Sequence, residues 1–157
     1  MQTLDLIDRK ILAELMRDAT IPIAQLAHRV GLSQTPCWKR VQKLQTQGVI
    51  RGRVALVDQA RVGFGLTVFV GIEAGDHSAA WRDTFMAAIA KLPQVMEVNR
   101  MAGDLDYLLR VVLPDMPAYD VFYNHLTQTV AIKRVTAQFV MEQVKAGTVY
   151  PLNTTTH

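Results

Sequence analysis

The fold is decided by the stretch IAQLAHRVGLSQTPCWKRVQKL, which spans residues 23–44. Its first part carries apolar residues at helical spacing, and Gly31 stands where a left-handed helix cap belongs. Ser33 follows as an N-cap and begins a second helix, which has one apolar side and one polar, basic side. A short helix, a tight glycine turn and a polar-faced helix predict a helix-turn-helix.

The segments on either side extend this unit. LDLIDRKILAEL (residues 4–15) repeats apolar residues at helical spacing and predicts a preceding helix, with Asp5 as its N-cap. VIRGRVALV (residues 49–57) alternates like a strand with a glycine bend, and it places Arg51 and Arg53 beside the polar-faced helix. We therefore expect a basic wing after the helix-turn-helix.

Positive charge is concentrated in this part of the chain. Residues 1–61 carry ten Lys and Arg against five Asp and Glu, whereas residues 62–157 carry seven against nine. No acidic residue lies between Asp18 and Asp58, although six basic residues do. This distribution favours a partner with a phosphate backbone over the alternative, a three-helix packing module with a solvated basic face.

The expected contacts with double-stranded DNA follow from the reach of each side chain. Gln34 and Thr35, near the start of the polar-faced helix, are suited to base edges, whereas the basic residues neutralise phosphates. Trp38 has two open interpretations, an exposed contact with DNA or a partly buried anchor against the first helix. The predicted DNA-binding residues are Ser33, Gln34, Thr35, Trp38, Lys39, Arg40, Lys43, Arg51 and Arg53.

Composition excludes several classes of protein. Cys37 is the only cysteine, so an internal disulfide or a cysteine-rich metal site cannot form, and we expect a reduced, cytoplasmic setting. Because Cys37 lies on the apolar side of its helix, we interpret it as a structural thiol instead of a redox sensor. The acidic N-terminal stretch does not match a signal peptide, and no apolar run approaches the roughly 18 residues of a membrane span. We expect no cofactor, no metal and no membrane partner.

Strands and helices alternate in the second part of the chain. The predicted strands cover residues 65–73, 95–101, 106–113 and 132–140, and the predicted helices cover 78–92 and 116–127. The order βαββαβ predicts a ferredoxin-like antiparallel sheet with both helices on one face, so the fold class is α+β. Because nothing further in the chain covers the other sheet face, we expect a homodimer that packs sheet on sheet.

Five segments, in order along the chain, resemble the Lrp/AsnC family, the feast/famine regulators of bacteria and archaea. They are LDLIDRKILAEL (4–15), IAQLAHRVGLSQTPCWKRVQKL (23–44), GVIRGRVALVD (48–58), AGDLDYLLRV (102–111) and FVMEQVK (139–145). The resemblance implies a winged helix-turn-helix domain at 1–48, a strand-like hinge at 49–63 and a ferredoxin-like effector-binding and oligomerisation domain at 64–157. It further implies a non-enzymatic, sequence-specific transcriptional regulator that responds to an amino acid and forms homodimers, often assembled into octamers or larger discs.

The resemblance places effector binding at the loop MAGDLDY, residues 101–107. A free amino acid requires a carboxylate for its ammonium group, which Asp104 or Asp106 offers, and donors for its own carboxylate, which the backbone around Gly103 offers. From the residues alone, the favoured alternative is a simple tight turn in which Asp106 is a cap or faces water. The expected effector-binding residues are Asn99, Met101, Gly103, Asp104, Asp106, Tyr107, Thr136 and Gln138, with Leu105 left open.

Three segments are similar to a branch of the family that includes cysteine-responsive regulators. They are TPCWKR (35–40), MAGDLDYL (101–108) and MEQVK (141–145). This similarity favours a sulfur-containing or small apolar amino acid as the effector. The wing departs from many relatives, since it reads Gly-Arg-Val at 52–54 where they carry Gly-Tyr-Thr, so wing contacts are not carried over from them.

Two other functions remain as alternatives. Siroheme decarboxylase subunits resemble the same family, but their chemistry needs His and Arg side chains that converge on a large pocket. Here the four histidines are scattered along the chain, at His28, His77, His125 and His157. A nucleoid-like architectural protein would instead bind DNA with little sequence preference.

Overall fold

The computed structural model describes residues 4–155 and divides into two compact units. The first unit contains the described residues up to Leu56 together with those from Val144 onward, and the second unit spans Val57–Gln143. His157, one of the four histidines, lies outside the described residues. Within residues 4–155, no helix is both long and apolar enough to cross a membrane.

Three helices build the first unit, and they are α1 (Leu6–Arg17), α2 (Ile23–Val30) and α3 (Gln34–Thr46). Asp5 caps α1 as expected, because its carboxylate accepts the backbone N–H of Asp8 at 2.8 Å. The glycine that ends α2, Gly31, has a φ of 75°, which is the left-handed cap predicted from the sequence. The helix-turn-helix is therefore confirmed.

The core of the first unit follows the apolar spacing of its helices. Its buried residues are Ile11, Leu12, Leu15, Ile21, Leu26, Ala27, Val30, Cys37, Val41 and Leu44. Cys37 is fully buried there, and desolvation raises the pKa of its thiol, so the reactive thiolate is disfavoured. This environment agrees with the interpretation of Cys37 as a structural residue.

The segment expected to be a strand, residues 49–57, contains no strand. The N–H groups of Val49 and Ile50 both donate to the carbonyl of Leu44, at 3.0 and 3.1 Å, and residues 51–58 are all exposed. A strand needs a neighbour for its backbone hydrogen bonds, and the strands found among residues 4–155 all belong to the second unit. The strand prediction for this wing is therefore wrong for a single copy of the chain.

The second unit has the predicted order βαββαβ. Its elements are β1 (Leu66–Ala74), α4 (Ala79–Ile89), β2 (Val95–Arg100), β3 (Tyr107–Leu113), α5 (Met116–Thr129) and β4 (Ile132–Phe139), with a short 3-10 turn at Ala60–Val62 before β1. The strands form one antiparallel sheet in the order β2-β3-β1-β4. This is the ferredoxin-like arrangement, with β3 and β1 at the centre.

One face of the sheet packs against both helices. Val70 of β1 and Leu109 of β3 are register partners on this face and are fully buried with Phe85 of α4 and Phe122 of α5. Trp81 stacks on Phe85 with ring centroids 5.1 Å apart. A single apolar core of this kind fixes which side of each strand faces the helices.

The opposite side of the sheet, which we call the open sheet face, carries the alternate residues of each strand. The register between neighbouring strands aligns its residues in two rows across the sheet. The first row is Asn99, Leu108, Gly71 and Thr136, and the second is Glu97, Arg110, Phe69 and Gln138. Neither α4 nor α5 packs on this face, because the buried core lies on the other side.

The packing units differ from the ranges 1–48, 49–63 and 64–157 inferred from the sequence. The division falls after Leu56, inside the expected hinge, and residues from Val144 onward group with the first unit. The physical reason is Leu152, whose partly buried side chain packs against the apolar core of the first unit. The three ranges remain a prediction about function.

Candidate nucleic-acid interface and ligand loop

The two sides of α3 differ in burial and in chemistry. Cys37, Val41 and Leu44 are buried, and the residues between them are polar, basic or aromatic. Trp38 is 52% exposed, so the structure favours the interpretation in which this side chain is free to contact a partner. The exposed residues of this surface, which we call the α3 face, are Gln34, Thr35, Trp38, Lys39, Gln42 and Lys43.

The start of α3 suits an anion. Ser33 is the N-cap, and its side chain makes no capping hydrogen bond, so the hydroxyl is not occupied by the helix. No acidic residue lies in the first turn. A helix N-terminus carries unpaired N–H groups and a partial positive charge, so this end of α3 favours contact with a phosphate.

Arg40 does not belong to the α3 face, although the sequence placed it among the DNA contacts. Its Nη1 donates to Asp5 Oδ2 at 2.6 Å and to Asp8 Oδ1 at 2.7 Å. The backbone N–H of Asp8 and the Arg40 guanidinium together lower the pKa of the Asp5 carboxyl. Arg40 therefore holds α3 against the start of α1, a partnership that helical spacing within α3 cannot reveal.

The other basic residues among the predicted DNA contacts differ from Arg40 in that they form no ion pair among residues 4–155. Among the ion pairs of residues 4–155, none involves Lys39, Lys43, Arg51 or Arg53. All four are exposed. Their charges are thus solvated and can neutralise phosphates without first breaking an internal bond.

The loop between β2 and β3 is closed by backbone hydrogen bonds. The N–H of Met101 donates to the carbonyl of Asp106 at 2.9 Å, and the N–H of Asp106 donates to the carbonyl of Ile72 at 2.9 Å. Gly103 has a φ of 131°, a conformation that other residues rarely adopt, and Asp104 beside it is exposed. The backbone hydrogen bonds therefore fix the shape of the loop, while the Asp104 side chain is exposed to solvent.

The Asp106 side chain is already bonded by the protein. Its Oδ2 accepts the N–H of Ala74 at 2.8 Å, and its Oδ1 lies 3.5 Å from Nδ1 of His77. The carboxylate thus caps the end of β1 and not the turn at Gly103, while one oxygen remains oriented toward the exposed His77. Structure and ligand binding are compatible here, because a carboxylate accepts several hydrogen bonds.

Leu105 lies over the sheet at Gly71. A Cβ placed on Gly71 would come within 2.7 Å of Leu105 Cδ1, so the absence of a side chain at this position makes room for the loop. Leu108 and Thr136 are the register partners of Gly71 on either side. The loop and the first row of the open sheet face therefore meet at one place.

The comparisons with known proteins cover both units. The family model described as the AsnC-type helix-turn-helix domain matches residues 4–45, and the one described as the Lrp/AsnC ligand binding domain matches residues 67–150. The chain is 45% identical over 150 residues to the DNA-binding transcriptional activator DecR of Escherichia coli strain K12, covering 95% of this chain and 99% of that protein. The chain belongs to the Lrp/AsnC family.

Other members of the Lrp/AsnC family agree with this assignment. The glutamate uptake regulatory protein of Zymomonas mobilis is 42% identical over 149 residues, covering 95% of this chain and 91% of that protein. The crystal structure of an AsnC family regulator from Agrobacterium tumefaciens has a TM-score of 0.89 at 49% identity, covering 94% of this chain and 97% of that one. A Neisseria meningitidis regulator solved in complex with L-Met has a TM-score of 0.91 at 32% identity, covering 96% and 98%.

These comparisons establish the chain as a DNA-binding transcriptional regulator of the Lrp/AsnC family with a ligand-binding domain. They do not support the decarboxylase alternative, because the relatives are regulators. The similarity to the cysteine-responsive branch stays a prediction.

Within this Lrp/AsnC fold, the expected effector residues other than Asp106 and Tyr107 fall into two places. Gly103, Asp104 and Met101 lie in the loop, and Asn99, Thr136 and Gln138 lie on the open sheet face. Asn99 and Thr136 are three strands apart, roughly 14 Å at the usual strand spacing, so one amino acid cannot contact both within a single chain.

Tyr107 is in a different place from the other expected residues. Its side chain is on the helix face of the sheet, buried with ring centroids 4.7 Å from Phe85 and 6.1 Å from Trp81. It is a core residue of the second unit, on the opposite face of the sheet from Leu108 and Thr136. One residue of the sequence signals this, since the charged Arg110 lies on the opposite face of β3 from Tyr107, but the other residues of the strand are apolar on both faces and conceal the alternation.

His77 is a residue that sequence reasoning left out of the site. It precedes α4 and reaches Asp106 only because β1 and β3 are antiparallel neighbours. No pattern in the sequence marks it, since the pairing depends on strand register. Gly71 was also overlooked, although a glycine in the middle of an apolar strand signals close approach of another segment.

Proposed function

We propose that this regulator recognises double-stranded DNA through the α3 face inserted into the major groove. The observation that carries the proposal is the division of α3 into a buried apolar side and an exposed polar side, on which Lys39 and Lys43 take part in none of the ion pairs of residues 4–155. Gln34 and Thr35 contact base edges, Trp38 packs on sugar or a thymine methyl, and the lysines neutralise phosphates. The proposed contacts are Ser33, Gln34, Thr35, Trp38, Lys39, Lys43, Arg51 and Arg53.

We infer that the effector is a free amino acid held at the loop between β2 and β3. Asp104 and the remaining oxygen of Asp106 accept hydrogen bonds from its ammonium group, and backbone N–H groups near Gly103 donate to its carboxylate. Its side chain contacts the apolar surface formed by Leu105 and Leu108. Methionine bound to the Neisseria meningitidis relative supports this chemistry, and a sulfur-containing or small apolar side chain is the class we propose.

The assembly we propose is a homodimer formed through the open sheet face. Phe69 and Leu108 are partly buried apolar residues on that face, and neither helix of the second unit covers them. A two-fold partner would bury them and place two α3 helices in successive major grooves of a pseudo-palindromic site. Further association of dimers, as in an octamer, would complete the effector site with residues such as Asn99 or Thr136 from a neighbouring dimer.

The mechanism we propose couples these two sites. An effector that binds one assembly more tightly than another shifts the population toward that assembly, and the spacing of the α3 helices changes with it. The protein itself performs no chemistry in this scheme, so we propose a non-enzymatic regulator that acts in the cytoplasm on chromosomal DNA.

The experiment that tests DNA recognition is a fluorescence-anisotropy titration of a duplex from the protein's own promoter region and of a shuffled duplex, at stated salt. We expect the promoter duplex to bind at least about 100-fold more tightly, because a regulator gains several kcal/mol from base contacts. Gln34→Ala should reduce this ratio, while Gln128→Ala on exposed α5 is the matched control. Equal affinity for both duplexes would instead indicate an architectural protein.

The effector proposal has an independent test in a thermal-shift screen of the twenty amino acids. A ligand that binds only the native protein raises the melting temperature, by an amount that depends on its concentration relative to Kd. Methionine, cysteine or a small apolar amino acid should give the largest shift. The absence of any shift across the set would contradict an amino-acid effector.

A further inference from the structure

The first unit contains a cleft of about 590 Å³ whose apolar interior has no part in the DNA-binding and effector proposals. It lies beside α1, and its other walls are residues 49–54 and two residues near the C-terminus, Tyr150 and Leu152. Its volume is within the range of about 300–1,000 Å³ that is typical of sites for small organic molecules. All its walls belong to one packing unit.

The inner wall of the cleft is apolar. Leu12 and Leu15 of α1 line it from the edge of the first core, and Met16 lies beside them. The C-terminal wall is held in place by Leu152, which packs on the same core, and by the N–H of Tyr150, which donates to Met16 Sδ at 3.4 Å. An apolar chain bound here would replace water on these residues and gain the free energy of burial.

The rim of the cleft carries positive charge. Arg51 and Arg53 line it, and none of the described residues that line it is acidic. Neither guanidinium takes part in the ion pairs found within residues 4–155. Because a guanidinium binds a carboxylate through two parallel hydrogen bonds, this rim is complementary to an organic acid.

We propose that the cleft binds an alkyl-chain carboxylate, with the chain against α1 and the carboxylate on Arg51 and Arg53. The bound acid orders the segment 49–54 and the C-terminal wall at Tyr150, because it contacts both at once. It also occupies the two arginines that we assign to DNA phosphates, so it lowers DNA affinity. That last consequence rests on the proposed DNA contacts, whereas acid binding does not.

Binding is tested by calorimetry on the full chain in the absence of DNA, with octanoate, 1-octanol and inorganic phosphate as probes. We expect octanoate to saturate one site per chain, octanol to bind about fivefold or more weakly because it lacks the ion pair, and phosphate, which has no apolar chain, to show no saturable binding. Equal affinity for octanoate and octanol, or no saturable octanoate binding, would overturn the proposal.

Two variants locate the site. Ala19→Phe fills the cleft and should abolish octanoate binding, whereas Ala24→Phe, on the exposed side of α2, should leave it unchanged. If Ala19→Phe binds octanoate normally, or if it changes the molar mass in solution and so shows that a second copy of the chain fills the cleft, the proposal is wrong. Circular dichroism melting curves of both variants test whether they fold.

Two double variants that remove positive charge distinguish acid binding in the cleft from DNA binding. The double variant Arg51→Gln and Arg53→Gln should weaken octanoate about fivefold and leave octanol unchanged, even if Ala19→Phe fails to fold. Lys39→Gln with Lys43→Gln, on the α3 face, should weaken DNA but leave octanoate affinity intact. Octanoate affinity that falls equally in both double variants would show a general charge effect and contradict the site.

Discussion

The α3 face and the loop between β2 and β3 both present polar side chains to solvent, but the bonding of those side chains within the protein differs. On α3, the residues of the exposed surface are solvated, and among the ion pairs of residues 4–155 it is Arg40, outside that surface, that bonds to another helix. In the loop, Asp106 is bonded to Ala74 and lies near His77 before any ligand arrives. A DNA-reading surface keeps its charges unpaired for phosphates, whereas a small-molecule site requires a rigid acceptor whose position is fixed in advance.

The largest effect on stability should come from the apolar side of α3, because its packing on the first core holds the α3 face in place. Leu44→Ala leaves a cavity in the first core, where Leu44 is 1% exposed, and should lower the free energy of unfolding by about 3 kcal/mol. Thermal and urea unfolding measure this loss. Thr46→Ala, at an exposed position of the same helix, is the matched control and should change stability by less than about 0.5 kcal/mol.

Variants of Asp106 distinguish a contact with the effector from a purely structural hydrogen bond to Ala74 at the end of β1. Asp106→Ala should retain DNA binding but lose the amino-acid thermal shift, since a hydrogen bond to a charged group is worth about 1.5–3 kcal/mol. Asp106→Asn keeps an oxygen acceptor for the N–H of Ala74 but removes the charge. Loss of the shift in both variants indicates contact with the ammonium group, and a normal shift in Asp106→Asn would assign this residue to the structure alone.

The third prediction compares two basic residues of one helix. Arg40→Ala should reduce stability by about 1–2 kcal/mol, because it leaves the buried carboxylate of Asp8 without its cation, and should leave the salt dependence of DNA binding unchanged. Lys43→Ala should do the reverse, with little effect on stability and a decrease of about 1 in the slope of log K against log salt. A shallower slope for Arg40→Ala would return that residue to the DNA contacts.

The smallest effect concerns pH. The pKa of Asp5 is lowered in the folded protein, first by the N–H of Asp8 and then by Arg40, so its ionised form favours folding. This contribution is fully present above the unfolded pKa, near 3.8, and is lost as pH falls through the lower folded value. Because Asp5 is half exposed, solvent screens the effect. Urea midpoints between pH 5 and pH 2 should therefore fall less steeply in Arg40→Ala than in the natural chain.

The parts of this molecule that the sequence predicted well are those specified by local patterns. Gly31 and the apolar spacing of α3 define the helix-turn-helix without knowledge of any distant contact, because caps and periodicity act over one or two helical turns. The alternation of strands and helices similarly identified the ferredoxin-like order, with boundaries close to those of the structure.

The features that the sequence did not reveal share a different cause, since each depends on a contact distant in sequence. Arg40 has the spacing of a DNA contact but meets Asp5 and Asp8 on another helix. Tyr107 faces the core because it alternates with Arg110 along β3, a weak signal in a strand whose other residues are apolar on both faces. Alternation at 49–57 suggested a strand, yet a strand forms only where a partner supplies hydrogen bonds.

Gly71, in the central strand β1, leaves the space that the Leu105 side chain of the loop occupies. Any side chain there would have to displace Leu105, and the displacement is inexpensive because only the end of a flexible side chain stands in the way. Leu105 lies between Asp104 and Asp106 in the chain, so a shift of Leu105 that reached the backbone would carry both carboxylates with it. A larger residue at this position of β1 would therefore press on the Leu105 side chain, which stands next to the two carboxylates of the proposed effector site.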